Sequence, residues 1–271
     1  MKFYLTIIAL ILSSTIALAQ ESAPFTTSRP GQAFTPLTMG KGGLQVQSGF
    51  RIGENYSTVT DFGRRLFYSA SFGNTTTVRY GISEKVEIRA EADWSRNYEN
   101  LFDGPERRFG DSFQRVSIGS RILLVNDDEK SQYFSVQPRL DLPIVDVENV
   151  GMQILLAYSK SVFSTATFTT NVSWTGGTAY YVGNQWDYAL NLGFSITDNL
   201  SGFVENYGTL IADQLFLSFD TGLALMVSPN LQLDLSGGFG QIEGVLTLSA
   251  RQWFVDTGVS WRIFDRPSRK G

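Results

Sequence analysis

The sequence predicts an all-β fold, a transmembrane antiparallel β-barrel of about 12 strands with both termini at the periplasmic end. Three observations predict it. Apolar and polar residues alternate with period two along most of the chain after residue 43. Nearly all charges inside these stretches keep to one parity, Glu205 being the exception, and all five tryptophans keep to the other. Connections alternate between short turns and longer loops.

Residues 1–19 read as a secretory signal. Lys2 supplies the positive start, residues 3–18 the interrupted apolar core, and Ala17-Leu18-Ala19 a small-x-small cleavage site ahead of Gln20. The chain has no Cys, so neither a disulfide framework nor a lipidated cysteine is available. No later apolar run is long enough for a transmembrane helix. Residues 20–43 are polar, rich in Pro, Gly and Thr, and without period. They are expected to form a periplasmic lead-in or a plug segment in the barrel mouth. Residues 44–264 are expected to form the barrel and residues 265–271 a short tail.

In the first strand Leu44, Val46, Phe50 and Ile52 alternate with Gln45, Gln47, Gly49 and Arg51. Residues 54–65 read as a long polar loop. The clearest unit follows, across residues 66–94. Its second arm places Val86, Ile88, Ala90, Ala92 and Trp94 opposite Glu87, Arg89, Glu91 and Asp93. Residues 95–114 read as the longest loop. Strands then follow at Val116 to Leu124 and at Phe134 to Leu142, where Pro138 removes a ladder donor and predicts a bulge. The stretch 150–158 is apolar on both faces, so its register stays open. Further strands begin at Ala166, Trp186, Leu200, Phe219, Leu231 and Trp253, with turns at 197–199 and 228–230. Gly237-Gly238-Phe239-Gly240 reads as a barrel kink.

A soluble sandwich would sort charge in the same way, so the tryptophans carry more of the argument. Trp94, Trp174, Trp186 and Trp253 fall beside long loops, and Trp261 falls near the opposite rim with Tyr80, Tyr158 and Phe194. An indole offers apolar bulk to lipid and an N–H to the head groups, so this placement reads as two aromatic girdles. Residues 257–263, Thr-Gly-Val-Ser-Trp-Arg-Ile, are similar to the C-terminal assembly signal of outer-membrane barrels. That makes the barrel-assembly machinery and outer-membrane lipid the expected partners.

The absence of His removes the general base of Ser-His-Asp hydrolases and His-type metal sites. Enzyme activity, a cofactor and a metal are therefore not expected. The mild acidity and the lack of a basic tract speak against nucleic acid. The lumen is the candidate site. Arg79, Glu87, Arg89, Glu91, Arg121, Arg139, Glu205 and Asp234 are expected to constrict it through a cross-lumen ion-pair network. Glu205 shares its parity with Phe203 and Tyr207. Either that face is the lumen, or the strand is bulged.

With these residues assembled, the chain resembles the bacterial outer-membrane family named for the MetA pathway of phenol degradation, a family labelled "transporter". The resemblance rests on Arg29-Pro30, the Gly42 to Phe50 entrance, Val78 to Ser83, Gly202 to Glu205, Asp220 to Leu223, Asn230 to Asp234 and Gly258 to Arg262. Residues 125–175 match least. The resemblance implies a porin-like channel in the cell outer membrane that passes small solutes, hydrophobic or aromatic ones included. Two alternatives stand beside it: a non-transporting surface barrel whose long extracellular loops bind a partner, and a secreted soluble β-protein.

Overall fold

A computed structural model describes residues 25–59, 65–101, 107–142, 150–176, 185–211, 214–243 and 249–264. The expected signal, residues 20–24 and the C-terminal tail lie outside these residues. Twelve strands form one closed barrel: β1 (Leu44–Val59), β2 (Arg65–Gly81), β3 (Val86–Leu101), β4 (Arg107–Asp127), β5 (Gln132–Leu142), β6 (Gly151–Phe163), β7 (Ala166–Gly176), β8 (Gln185–Ser195), β9 (Leu200–Ile211), β10 (Gln214–Ser228), β11 (Leu231–Glu243) and β12 (Ser249–Phe264). Each strand pairs antiparallel with the next. β12 returns to β1, with Gly49 opposite Gly258 and Arg51 opposite Asp256 at the seam. Closure leaves no edge strand among the described strands, which is the condition for crossing a bilayer with strands. β1 starts and β12 ends at the side of the short turns.

The two faces differ as the alternation demands. Phe50, Ile52, Ile88, Ile118, Leu140, Leu156, Leu190, Val204, Leu223, Leu235 and Val255 are exposed on the outside. Gln45, Gln47, Arg79, Glu87, Arg89, Arg121, Gln137, Arg139 and Asp234 are buried on the inside. The inversion of the water-soluble pattern marks the outer surface as one that needs an apolar solvent. In β6, Met152, Ile154 and Leu156 face outward and Leu155 and Ala157 inward, which settles the open register. In β9, Val204 is 49% exposed and Glu205 3%, so the face shared by Phe203 and Glu205 is the lumen, with no bulge.

Three local expectations change. Much of the sequence read as long loop is strand, since β1 runs to Val59, β3 to Leu101, β4 starts at Arg107 and β12 at Ser249. Ladder pairing defines these parts as strand, although their sequences lack the alternation that reveals a half-buried strand. Trp94 consequently stands in the middle of β3 rather than at its end. Pro138 interrupts the β4 ladder without shifting its register, and the bulge lies instead between Leu123 and Val125. Pro138 keeps its place opposite Ile154 of β6, so the missing donor is felt on one side only. The register of β11 passes through Gly237 and Gly238 unshifted. Gly238 gives room to the Phe254 ring and the Asp220 side chain inside the barrel.

Candidate functional site

The expected lumen residues are all buried inside the barrel, but the ion pairs of Arg79, Glu87, Arg89, Glu91, Arg121 and Arg139 follow one wall instead of crossing the lumen. On β2 to β5, Arg79 donates through Nε and Nη2 to both oxygens of Glu87, at 2.9 and 2.8 Å. Arg121 lies 3.5 Å from the same carboxylate and donates to Gln137 Oε1, which also accepts from Arg89 at 2.7 Å. Glu91 gathers Arg115 at 2.7 Å, Arg139 at 3.3 Å and Arg89 at 3.5 Å. Asp93 adds a second carboxylate to Arg115, and Asp141 a second to Arg139. These partners sit on the same or nearby strands, where adjacent inward side chains already meet. Pairing makes their burial tolerable, because an isolated buried charge would cost several kcal/mol (about).

What crosses the lumen is the chain itself. The segment from residue 25 runs inside the barrel as far as Met39 and reaches the rim at Lys41 before β1 begins, and the wall holds it largely by its backbone. Arg79 Nη1 donates to the Thr26 carbonyl at 3.0 Å, and Arg79 Nη2 and Arg121 Nη1 donate to the Leu37 carbonyl at 3.2 and 2.9 Å. On the opposite wall the backbone N–H groups of Gln32 and Ala33 donate to the two Glu205 oxygens at 2.7 and 2.8 Å. Gly31 sits at φ +92 beside the Phe203 ring, a left-handed conformation that suits glycine and leads into these two amides. Asn171 exchanges two hydrogen bonds with the Phe34 backbone, and Glu87 accepts from the Met39 N–H at 3.0 Å. The Arg89 guanidinium lies 5.2 Å from the Phe34 ring centroid.

Arg29 is the segment's strongest side-chain anchor. Its guanidinium donates to Asp234 Oδ1 at 3.0 Å and also to Asp256. It fits because Gly49 and Gly258, paired across the seam, present no side chain where it lies. A Cβ on either would overlap it.

The segment divides the lumen. Toward the long-loop end lies a cavity of about 540 Å³, bordered by Arg51, Arg89, Arg115, Glu91, Asp93 and Asp256. Toward the short-turn end lies one of about 430 Å³, bordered by Phe25, Thr165, Thr169, Asn191, Phe203 and Gln232. Arg29 borders both.

Sequence reasoning found Glu205 and Asp234 without finding what they hold, and it missed Arg29 and Asp256 as partners. A usable signal was charge balance: the inward acids of β9 to β12, Glu205, Asp220, Asp234 and Asp256, outnumber Arg262 and the Arg51 that faces Asp256 from β1. The tryptophans behave simply. Trp186, Trp253 and Trp261 are exposed outside, Trp94 packs edge-on against outward Phe72, and Trp253 Nε1 donates to Glu54 at 3.0 Å. Trp174 pairs with Trp186 across β7 and β8.

An outer membrane channel from Pseudomonas putida F1 superposes with a TM-score of 0.63, covering 87% of this chain and 99% of that one at 8% identity. The fold is that of an outer-membrane barrel. Similar but looser matches are a TodX mutant monoaromatic hydrocarbon channel (TM-score 0.51, 9% identity, 84% of this chain and 93% of that one) and the KdgM porin (0.50, 10%, 79% and 99%). No family model and no curated protein matches the chain. At these identities the comparisons speak to architecture alone.

Proposed function

We propose that the protein is an outer-membrane channel for small solutes whose lumen is closed by its own N-terminal segment. The observation that supports this most is the position of the N-terminal segment, which borders one cavity toward each end of the barrel. In this reading the short-turn end and both termini are periplasmic, and the wall cluster of Arg79, Glu87, Arg89, Glu91, Arg121 and Arg139 both narrows the lumen and anchors the segment. The outward Trp and Tyr residues form the girdles, and outer-membrane lipid is the solvent of the apolar face. The resemblance to the MetA-pathway family and the likeness to a hydrocarbon channel favour aromatic solutes. The charged border of the outer cavity adds that such a solute would carry a polar group.

The test is planar-bilayer conductance of the full chain beside a chain lacking residues 25–36 and an Arg89→Ala/Arg121→Ala variant. The full chain is expected to be closed or to open rarely, and the shortened chain to stay open. A shortened chain that folds, shown by heat-dependent gel mobility, and yet conducts nothing overturns the reading.

A further inference from the structure

Arg29 occupies a niche that the barrel builds completely. Its floor is the Gly49–Gly258 pair, which leaves a flat opening in the wall the depth of a side chain. Its sides are Asp234, with no side-chain exposure, and Asp256, with 9%. Planar hydrogen-bond donors meeting two carboxylates over a bare backbone floor is the recognition geometry for a guanidinium group. Its occupant is joined to the barrel only through an aperiodic segment, and it touches both cavities.

Asp256 also borders the outer cavity, so a cation arriving from the long-loop side reaches one carboxylate before Arg29 has left. Arg51 shares that carboxylate at 3.1 Å and is partly exposed, which leaves the niche wet on this side.

We propose that this niche is an exchangeable site for a solute bearing a guanidinium or primary ammonium group, and that Arg29 is its built-in competitor. A bound solute displaces Arg29, and with it the latch that holds the segment between Thr27 and Gln32. Cationic groups of this kind therefore act as keys to the lumen as well as candidates for passage. The consequence for gating rests on the channel reading, but the site itself does not, so its test avoids conductance.

The chain has no cysteine, so Ser28→Cys supplies a single reporter on the segment. Its labelling rate by a membrane-impermeant maleimide is measured in refolded protein with millimolar guanidinium chloride, with equal sodium chloride and with equal urea. Guanidinium is expected to raise the rate about threefold or more, as a ligand that favours the released state would; sodium and urea are expected not to. Asp234→Asn/Asp256→Asn is expected to label fast under all three conditions. In parallel, Arg29→Ala is titrated with guanidinium chloride by calorimetry and is expected to bind it more tightly than the native chain. Three results overturn the proposal: labelling indifferent to guanidinium, a double variant that labels like the native chain, or no guanidinium binding to Arg29→Ala. A guanidinium response in a protein whose shortened form conducts nothing would sink the channel reading and leave the site standing.

Discussion

Replacing Arg79 by Ala should both weaken the barrel and free the segment, in separable amounts. Arg79 is fully buried and donates five hydrogen bonds: two to Glu87, one to Gln45 and one each to the Thr26 and Leu37 carbonyls. The Glu87 pair belongs to the wall. Removing one partner of a buried pair costs about 3–5 kcal/mol, and the upper end is softened here because Glu87 keeps Arg121 and the Met39 N–H. The two carbonyl contacts belong to the segment. Charged donors are each worth roughly 1.5–3 kcal/mol, so the loss of two shifts the held-to-released balance by about 3 kcal/mol or more, at least a hundredfold. Urea unfolding followed by tryptophan fluorescence reads the first quantity, and open probability in a planar bilayer reads the second. Arg79→Lys, which keeps the charge and loses the planar fork, should fall between. An Arg79→Ala protein that unfolds at the native urea concentration and opens no more often would refute the assignment of these contacts.

Other perturbations isolate single parts. Gly258→Ala places a methyl group where the Arg29 guanidinium lies, and a flexible side chain can yield; open probability should rise while the urea midpoint stays within about 0.5 kcal/mol of native. Val204→Lys puts a charge on the apolar exterior and should cost roughly 2–4 kcal/mol in refolding titrations into lipid, a loss that would be absent if β9 faced the other way. Pro138→Val restores a ladder donor toward β4 at an exposed outward position and should stabilise by about 1 kcal/mol in the same titration; no gain would mean the ladder is broken there for another reason. Glu205→Ala removes the acceptor of the Gln32 and Ala33 amides and should speed labelling of a Ser28→Cys reporter without guanidinium; an unchanged rate would show that the latch alone holds the segment.

Strand number and the facing of nearly every strand residue were legible because parity is local. Each of Glu87, Arg89 and Glu91 announces its side through its own neighbours. The outer reaches of β1, β3 and β4 were not legible, since their sequences carry no sustained apolar–polar alternation. Nor was the course of residues 25–43. Glu205, Arg79 and Arg121 grip that segment by amides and carbonyls, which every residue possesses and no sequence pattern advertises. Asp234 shows the same limit from the wall side. Its inward direction was plain, but its partner lies 205 positions away in an aperiodic stretch.

The extended strands have a further consequence. β4 continues nine residues past the rung that joins Val116 to the last residue of β5, and β3 keeps pace with it. At about 3.4 Å per residue this is some 30 Å of additional hydrogen-bonded ribbon along the strand. The rim of the described barrel is thus cut on a slant, high over β1 to β4 and low over β5 to β8. On the high side a protease arriving at the long-loop end meets backbone hydrogen-bonded to a neighbouring strand, which must first unzip before it can be drawn into a cleft. Clipping and fast amide exchange should therefore be scarce along this ribbon.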